Sequence, residues 1–505
     1  MKPTRVAVWC LLATLLPGAA AAAFPRPEPA SKDGLQQQLE TWFRKASRVA
    51  PGTWGIAVAT QEGQLLWAVQ PTLAMIPAST VKVFTTGFAR SILGADARRT
   101  TRVLGTGHLD PFDGTWVGAW SLELNGDPTL ERPLHGGPTF VELAQQLSSY
   151  GIRRLTGPLA LESAAGDVNA VFPPVWENRQ QGRYFAPLIG NIMLNEGLVT
   201  FAIAPGPAVG KRPVLRSETP LGVSALVTIQ ARTVAGSRSR LTVRRGKDGE
   251  YVVSGTIGAR ARTKWFTFTA HDPKAVAEAV WARALDQTGI RWDREQIARP
   301  AFPLSTGAVL AKVHSVPFDS IAMEVNRRSV NIAAELLLRW AGGPTRAAER
   351  LTEHVREVTG ELSGLRLVDG SGLSRLDRVS PLTFISYLAR FPALPAGRGF
   401  PMLLPTNGMG TLRKLSGMPG PGIVRAKTGT LADAATVVGY LGRPEGVLLI
   451  SLMYNGPRVY DARQEQWKLF RLLGAEGVLL PDDSSSVGVQ LGGSAPVDTI
   501  PPQRP

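Results

Sequence analysis

Three short stretches of this sequence hold residue types that suit acyl transfer. The first, PASTVKVFTT (77–86), places Ser79 three residues before Lys82. On a helix, residues three apart share a face, so hydroxyl and amine come within hydrogen-bond reach. A lysine set among Val81, Val83 and Phe84 has its charged form disfavoured, so its pKa falls and it can take the serine proton. A serine at a helix start also has a backbone N–H aimed where an oxyanion would develop. The bland alternative is a helix whose lysine snorkels to water. Lys82 is the only lysine in the chain with a serine three positions before it.

The second stretch, RRSVNIAAELLL, presents Ser329 and Asn331 at a predicted helix start. Both residue types serve as N-caps; equally, the hydroxyl could relay protons to a leaving group beside an amide that binds substrate. The third, VRAKTGTLADA, offers Lys427, Thr428, Gly429 and Thr430 just before the strand-like ATVVGYL. A strand edge carrying an ammonium and hydroxyls suits a carboxylate, and Gly429 would let a ligand approach the backbone closely. A plain turn is the alternative.

The elements that must position these residues fall at the two ends of the chain. LQQQLETWFRKASRVA has helical spacing at Leu35, Leu39, Trp42 and Phe43. GIAVATQEGQLLWAVQ reads as two strands turning at Glu62-Gly63, and Pro77 is a helix entry before Ser79. Helical patterning returns at FDSIAMEVNRRSVNIAAELLLRWAGG and at GGPTRAAERLTEHVREVTG. ATVVGYLGRPEGVLLISLMYNG reads as a hairpin turning at Arg443-Pro444-Glu445, followed by an amphipathic helix in DARQEQWKLFRLLG. Residues 99–301 have a different texture, with strand-like LVTFAIAP, ALVTIQARTV and YVVSGTIGA, Gly/Pro turns and the basic RSRLTVRRGK. No catalytic motif falls there, so the stretch is expected to fold as its own unit. The expected fold is therefore one α/β domain built from residues 24–98 and 302–481, interrupted by an insert of two nested units. The Ser-, Gly- and Pro-rich residues 482–505 are predicted to be a disordered tail.

Length and composition bound the rest. At 505 residues the chain accommodates two or three domains, by the prior of roughly 150 residues each. Residues 1–23 have the layout of a secretory signal peptide: Lys2 and Arg5, an apolar run from Val6 to Leu16, then Pro17-Gly18 and an alanine tract ending near Ala22 or Ala23. The run is shorter than the ~20 residues a membrane span needs. The single cysteine, Cys10, lies inside this segment. A mature chain without cysteine has no disulfide, no thiolate nucleophile and no cysteine-ligated zinc. The formal charge of +16 suits an anionic environment: nucleic acid, a membrane surface or an acidic polymer.

Ser-x-x-Lys, then Ser-x-Asn, then Lys-Thr-Gly, in that order, resembles the signature of penicillin-binding proteins and class A β-lactamases. The middle element here is Ser-Val-Asn rather than Ser-Asp-Asn. The closer resemblance is to the low-molecular-mass class C penicillin-binding proteins, D-alanyl-D-alanine carboxypeptidase/endopeptidases. That family carries a long insert between the first two motifs, and here 250 positions separate Ser79 from Ser329. LNGDPTL (124–130), SVNIAAELLL, DGSGLSR (369–375) and AKTGTL resemble family stretches. Departures are Glu162 where an aspartate is usual, Gly197 where a second asparagine is common, and Met409 in place of an aspartate.

The resemblance implies a β-lactamase/transpeptidase-like body, an antiparallel sheet flanked by helices. It also implies an exported, periplasmic serine DD-peptidase acting on peptidoglycan stem peptides, inhibited by β-lactams, needing no cofactor or metal and no nucleic acid. Ser79 would be the nucleophile, Lys82 its base, and Ser329 the proton relay to the departing D-alanine. Asn331 would hold the substrate amide, and Lys427, Thr428 and Thr430 the terminal carboxylate. The N–H groups of Ser79 and Thr430 would form the oxyanion hole, and Arg375 would contact the third stem residue. A β-lactamase shares the three motifs but lacks such an insert. A Ser-His-Asp hydrolase is disfavoured by five histidines and no G-x-S-x-G elbow. A non-catalytic wall-binding scaffold would not need Ser79, Lys82 and Lys427.

Overall fold

The computed structural model describes residues 32–480 except 133–135, 167–168, 247, 296–306 and 361–363. The expected signal peptide (1–23) and the expected disordered tail (482–505) lie outside the described residues.

The chain opens with α1 (Lys32–Val49), which buries Leu35, Leu39, Trp42 and Ala46 along one stripe. β1 (Thr53–Thr60) and β2 (Leu65–Val69) pair around the Glu62-Gly63 turn. A 3-10 turn at Ala78–Thr80 then runs into α2 (Val81–Leu93), buried continuously from Val81 to Ala89.

The insert follows as β3 (Thr100–Leu109), β4 (Trp116–Glu123), α3 (Phe140–Tyr150), β5 (Arg154–Thr156), β6 (Ala160–Glu162), β7 (Leu198–Ala204) and β8 (Val214–Thr219). It continues as β9 (Val227–Ile229), β10 (Arg232–Val234), β11 (Ser239–Arg245), β12 (Tyr251–Gly258), β13 (Lys264–Thr269), α4 (Pro273–Gln287), β14 (Arg291–Asp293) and β15 (Ala308–His314). The body resumes with α5 (Phe318–Arg328), α6 (Asn331–Gly342), α7 (Ala347–Thr359), α8 (Pro381–Arg390), β16 (Val424–Leu431), β17 (Ala434–Arg443), β18 (Gly446–Asn455) and α9 (Val459–Leu473).

The body is built on one antiparallel sheet of order β16-β17-β18-β1-β2. Alternation along β1 sends Ile56 and Val58 to one face, where Leu39 and Trp42 of α1 and Trp467 and Phe470 of α9 cover them. Ala57 and Ala59 point to the other face and meet a core that includes Phe84 of α2, Val325 of α5, Leu337 of α6 and Phe384 of α8. Both faces are thus buried, giving three layers with α2 at the centre of the thicker one.

The insert leaves and rejoins the body through paired backbone: Ser315 N–Arg99 O at 2.8 Å, Phe318 N–Ala97 O at 2.9 Å and Asp319 N–Ala95 O at 3.0 Å. Its outer sheet, β15-β3-β4-β6, takes its return strand from residues 308–314, past the expected end of the insert at 301. The strands between form a three-stranded sheet, β13-β7-β8, a four-stranded one, β10-β12-β11 with β9 also on β12, and the pair β14-β5. One apolar cluster, including Trp120, Phe140, Phe201, Tyr251 and Trp281, joins these layers. The strand-rich reading overlooked two helices. Both have local start signals: Thr139 caps α3 through Glu142 N, and Asp272, followed by Pro273, caps α4 through Ala275 N.

The insert also packs on the body. Trp176, Ala186, Ile189 and Met193 bury against Ile332 and Leu336 of α6 and against Leu373. Gly197 belongs to this seam: its φ is +69°, and a Cβ there would meet Met193 and Ile332. That contact accounts for glycine at this departure.

Candidate active site

Ser79 sits in the 3-10 turn ahead of α2, and Lys82 in the first turn of the helix. Ala78, immediately before the serine, has φ +49°, a left-handed conformation uncommon outside glycine. The turn is clamped from the sheet. Thr436 Oγ1 donates to Pro77 O at 2.6 Å, as does Thr80 Oγ1 at the same distance. Gly429 lies so close that a Cβ there would come within 2.7 Å of Pro77 O and 2.8 Å of Ser79 N. The close approach at this glycine is made by the chain's own Pro77–Ser79 turn.

Lys82 is fully buried and does not snorkel. Its Nζ lies 3.1 Å from Ser79 Oγ, 2.6 Å from Asn331 Oδ1 and 2.6 Å from Ser371 O. The amide and carbonyl oxygens only accept, whereas the serine hydroxyl can donate. An ammonium donates to all three oxygens; a neutral amine donates to the amide and carbonyl oxygens and keeps its lone pair for the Ser79 proton, so the set accommodates both forms. Burial pulls the Lys82 pKa down to about 7, while the carboxylates of Asp369, Glu335 and Asp377 resist that fall.

Ser329 is the first of the two residues between α5 and α6, with φ +62°. The helical pattern read across this stretch breaks there, and the break turns the hydroxyl to 2.9 Å from Lys427 Nζ. Lys427 on β16 is also fully buried and donates to Thr428 O at 2.7 Å. Burial, then the nearby Lys82 and Arg463, push its pKa well below the usual lysine range. Asn331 opens α6; its Nδ2 donates to Phe185 O of the insert at 2.9 Å. Thr428 is buried and Thr430 exposed at the strand's outer end.

The chain thus brings Ser79, Lys82 and Asn331 into one hydrogen-bonded group, with Ser329 and Lys427 paired beside it. Arg375 stands apart from that group: it forms a two-pronged pair with Asp433, its Nη1 2.6 Å from Asp433 Oδ1, and its Nε lies 3.8 Å from Glu177 of the insert. Met409 is exposed.

Several supporting residues escaped the sequence reading. Glu335, one turn beyond Asn331 on α6, accepts from Gly370 N at 3.1 Å and Ser371 N at 2.9 Å. This holds the Ser371 carbonyl on Lys82. Asp369 folds the same loop by accepting from Gly372 N at 2.6 Å, Ser374 N at 2.7 Å and Trp176 Nε1 at 3.1 Å. Burial and Asp369 push Glu335 up to about 7. The signal available in the sequence was a carboxylate inside the apolar run AAELLL. Arg463 of α9, half-buried, donates to Gly429 O at 2.6 Å and Thr430 Oγ1 at 3.2 Å, fixing the end of β16.

The arrangement is a buried amine poised on a serine, backed by a second lysine–serine pair and walled by the insert. The chain is 26% identical over 423 residues to a D-alanyl-D-alanine carboxypeptidase of Actinomadura sp. (strain R39), spanning 79% of this chain and 77% of that one. It is 25% identical over 418 residues to D-alanyl-D-alanine carboxypeptidase DacB of Haemophilus influenzae, spanning 77% and 82%. The crystal structure of penicillin-binding protein 4 from Haemophilus influenzae superposes with a TM-score of 0.66 at 20% identity, over 85% of this chain and 99% of that one. That likeness shows the fold, a transpeptidase-like body with its insert. Residues 35–473 match the D-Ala-D-Ala carboxypeptidase 3 (S13) family, and it is to this family that the chain belongs.

Proposed function

We propose that the protein is an exported serine D-Ala-D-Ala carboxypeptidase of peptidoglycan stem peptides, with cross-link endopeptidase activity at the same site. The observation that carries the reading is the hydrogen-bond set of Lys82, which accommodates a neutral amine facing Ser79 Oγ. Ser79 gives its proton to Lys82 Nζ as Oγ attacks the carbonyl carbon of the penultimate D-alanine. The N–H groups of Ser79 and Thr430 receive the oxyanion. As the C–N bond breaks, Ser329 passes a proton to the leaving nitrogen and regains one from the lysines. Water then attacks the acyl carbon, Lys82 again taking the proton, and Ser79 is released.

Asn331 holds the substrate amide, and Thr428 and Thr430 the terminal carboxylate, with Gly429 setting the depth of the strand beside it. Lys427 stands behind them: an arriving carboxylate stabilises its ammonium form, which then charges the Ser329 relay. Arg375 contacts the third stem residue from the rim. The N-terminal signal directs the chain to the periplasm.

The same chemistry predicts covalent inhibition by β-lactams, whose strained amide resembles acyl-D-Ala-D-Ala. Benzylpenicillin should add once to the mature protein, and peptide mapping should place the adduct on Ser79. Lys82→Ala should abolish the label, and Ser371→Ala should leave it possible. No adduct, or one mapped outside residues 77–86, would sink the assignment.

A further inference from the structure

The inner part of the insert has a charge distribution unlike the rest of the chain. Between Leu198 and Thr269 stand twelve Lys or Arg against three Asp or Glu, so this segment holds nine of the sixteen net positive charges. The described basic residues there are all exposed, and none forms an ion pair among the described residues. Elsewhere arginines commonly meet carboxylates, as Arg90 meets Asp319 and Arg328 meets Glu196. Two of the three local carboxylates are engaged otherwise: Glu218 by Ser224 N, and Glu250 by Thr228 Oγ1.

The charges are ordered by the sheet. Register sets Arg232 of β10 and Arg240 of β11 on either side of Thr256, and Arg244 beside Val252 on the same face. Next to this sheet is an open cleft of about 590 Å³. Ser217, Ala259 and Ala261 line it, and Ser217 stands in one cross-strand row with Trp265 across the buried Ala202. Trp265 is 61% exposed, and Arg216 also lines the cleft. Every other described tryptophan is buried or partly so.

We propose that this basic face and its tryptophan cleft form a second site, remote from Ser79 in the fold, that binds the glycan–peptide polymer of peptidoglycan. A sugar ring stacks on the flat apolar face of Trp265 over the small residues that line the cleft. The repeated carboxylates of the polymer lie along Arg216, Arg232, Arg240 and Arg244. Each exposed ion pair is weak, but a polymer engages many at once and the summed field concentrates it near the surface. The inference takes the identity of the polymer, and nothing else, from the function proposed above.

The test is co-sedimentation of the full mature chain carrying Ser79→Ala with purified sacculi, so that the polymer is not digested. Retention should weaken about tenfold in Arg232→Glu/Arg240→Glu/Arg244→Glu and several-fold in Trp265→Ala, in the range seen for Trp and Arg anchors. It should fall as salt rises. Sacculi stripped of phosphate polymers by hydrofluoric acid should retain the protein equally, and sacculi with amidated carboxylates should not. Unchanged retention in these variants, or retention lost with the phosphate polymers, would overturn the proposal. With Ser79 intact, the same variants should keep wild-type kcat/KM on a soluble D-Ala-D-Ala peptide; a parallel loss would assign the effect to the active site and overturn it too. An absent penicillin adduct with retention still following the cations would overturn the catalytic reading and leave this site standing.

Discussion

In the proposed mechanism Lys82 acts as a base only while neutral, and its environment sets when that is. With its pKa near 7, acylation by benzylpenicillin should rise about tenfold per pH unit below 7 and level off above it. The groups facing Nζ are Glu335 from α6, Asp369 and Asp377 from the loop after α7, and Lys427 from β16. Each carboxylate favours the ammonium form, so removing one lowers the lysine pKa. Glu335 is itself raised to about 7 and only partly ionised on that limb, so Glu335→Gln should move the limb to lower pH by less than the roughly one unit that a nearby full charge supplies at least. A merely structural role for Glu335 would lower the plateau and leave the limb in place. Lys427 invites a different measurement. If it answers the substrate carboxylate, Lys427→Ala should lose more activity on a free D-Ala-D-Ala terminus than on its amide. The difference should be about 1.4 kcal/mol or more, the worth of one pKa unit of interaction with a nearby opposite charge. Equal losses would confine Lys427 to the Ser329 relay.

At the scale of elements, the site is a junction of α2, the α5–α6 link, β16 and the insert. Glu196 of the insert meets Arg132 and, at 2.8 and 3.1 Å, both terminal nitrogens of Arg328, the residue before Ser329. Arg132 is almost buried and Arg328 about a third exposed, so the cluster is only partly screened. Glu196→Ala should cost about 2–3 kcal/mol of stability, at or below the low end for breaking a buried pair, and should slow acylation by loosening Ser329. Lost stability with an unchanged acylation rate would show the cluster does not position the serine. Residues 175–196 also supply Phe185 O to Asn331, Val175 O to Ser374 Oγ and Trp176 to Asp369. The insert, expected to fold as its own unit, has an apolar cluster of its own and through these contacts also walls the site. The motifs were legible because Ser79 and Lys82 are neighbours on one helix turn and Lys427 to Thr430 run along one strand. The rest was hidden by distance: Glu335 meets a loop 35 residues on, and Asn331 meets a carbonyl 146 residues back. Local spacing does not encode such pairings. α3 and α4 were legible in their caps, but β-branched and Gly/Pro texture dominated their surroundings.

Across the whole molecule, the body sheet closes its two ends on each other. β1 runs beside β18 from Thr53↔Asn455 to Thr60↔Leu448, and Trp42 Nε1 of α1 donates to Glu465 O of α9 at 2.9 Å. Nearly four hundred residues must therefore be gathered before the central strand pair forms, and loop-closure entropy makes such contacts late. The insert contains nearer pairings: β3 with β4, β7 with β8, and β11 with β12 are sequential hairpins. Ser79 and Lys427 lie on opposite sides of the seam, since α2 follows β2 while β16 belongs to the C-terminal half of the sheet. During refolding from denaturant, amides of the β3–β4 and β11–β12 hairpins should gain exchange protection before Ile56–Ala59 of β1. Capacity to be labelled by a fluorescent penicillin should appear only with the β1 protection. Labelling that returns while β1 still exchanges freely would show that the Ser79 turn assembles without the closed sheet. The clamp of Thr436 on Pro77, which ties that turn to β17, would then not be what readies Ser79.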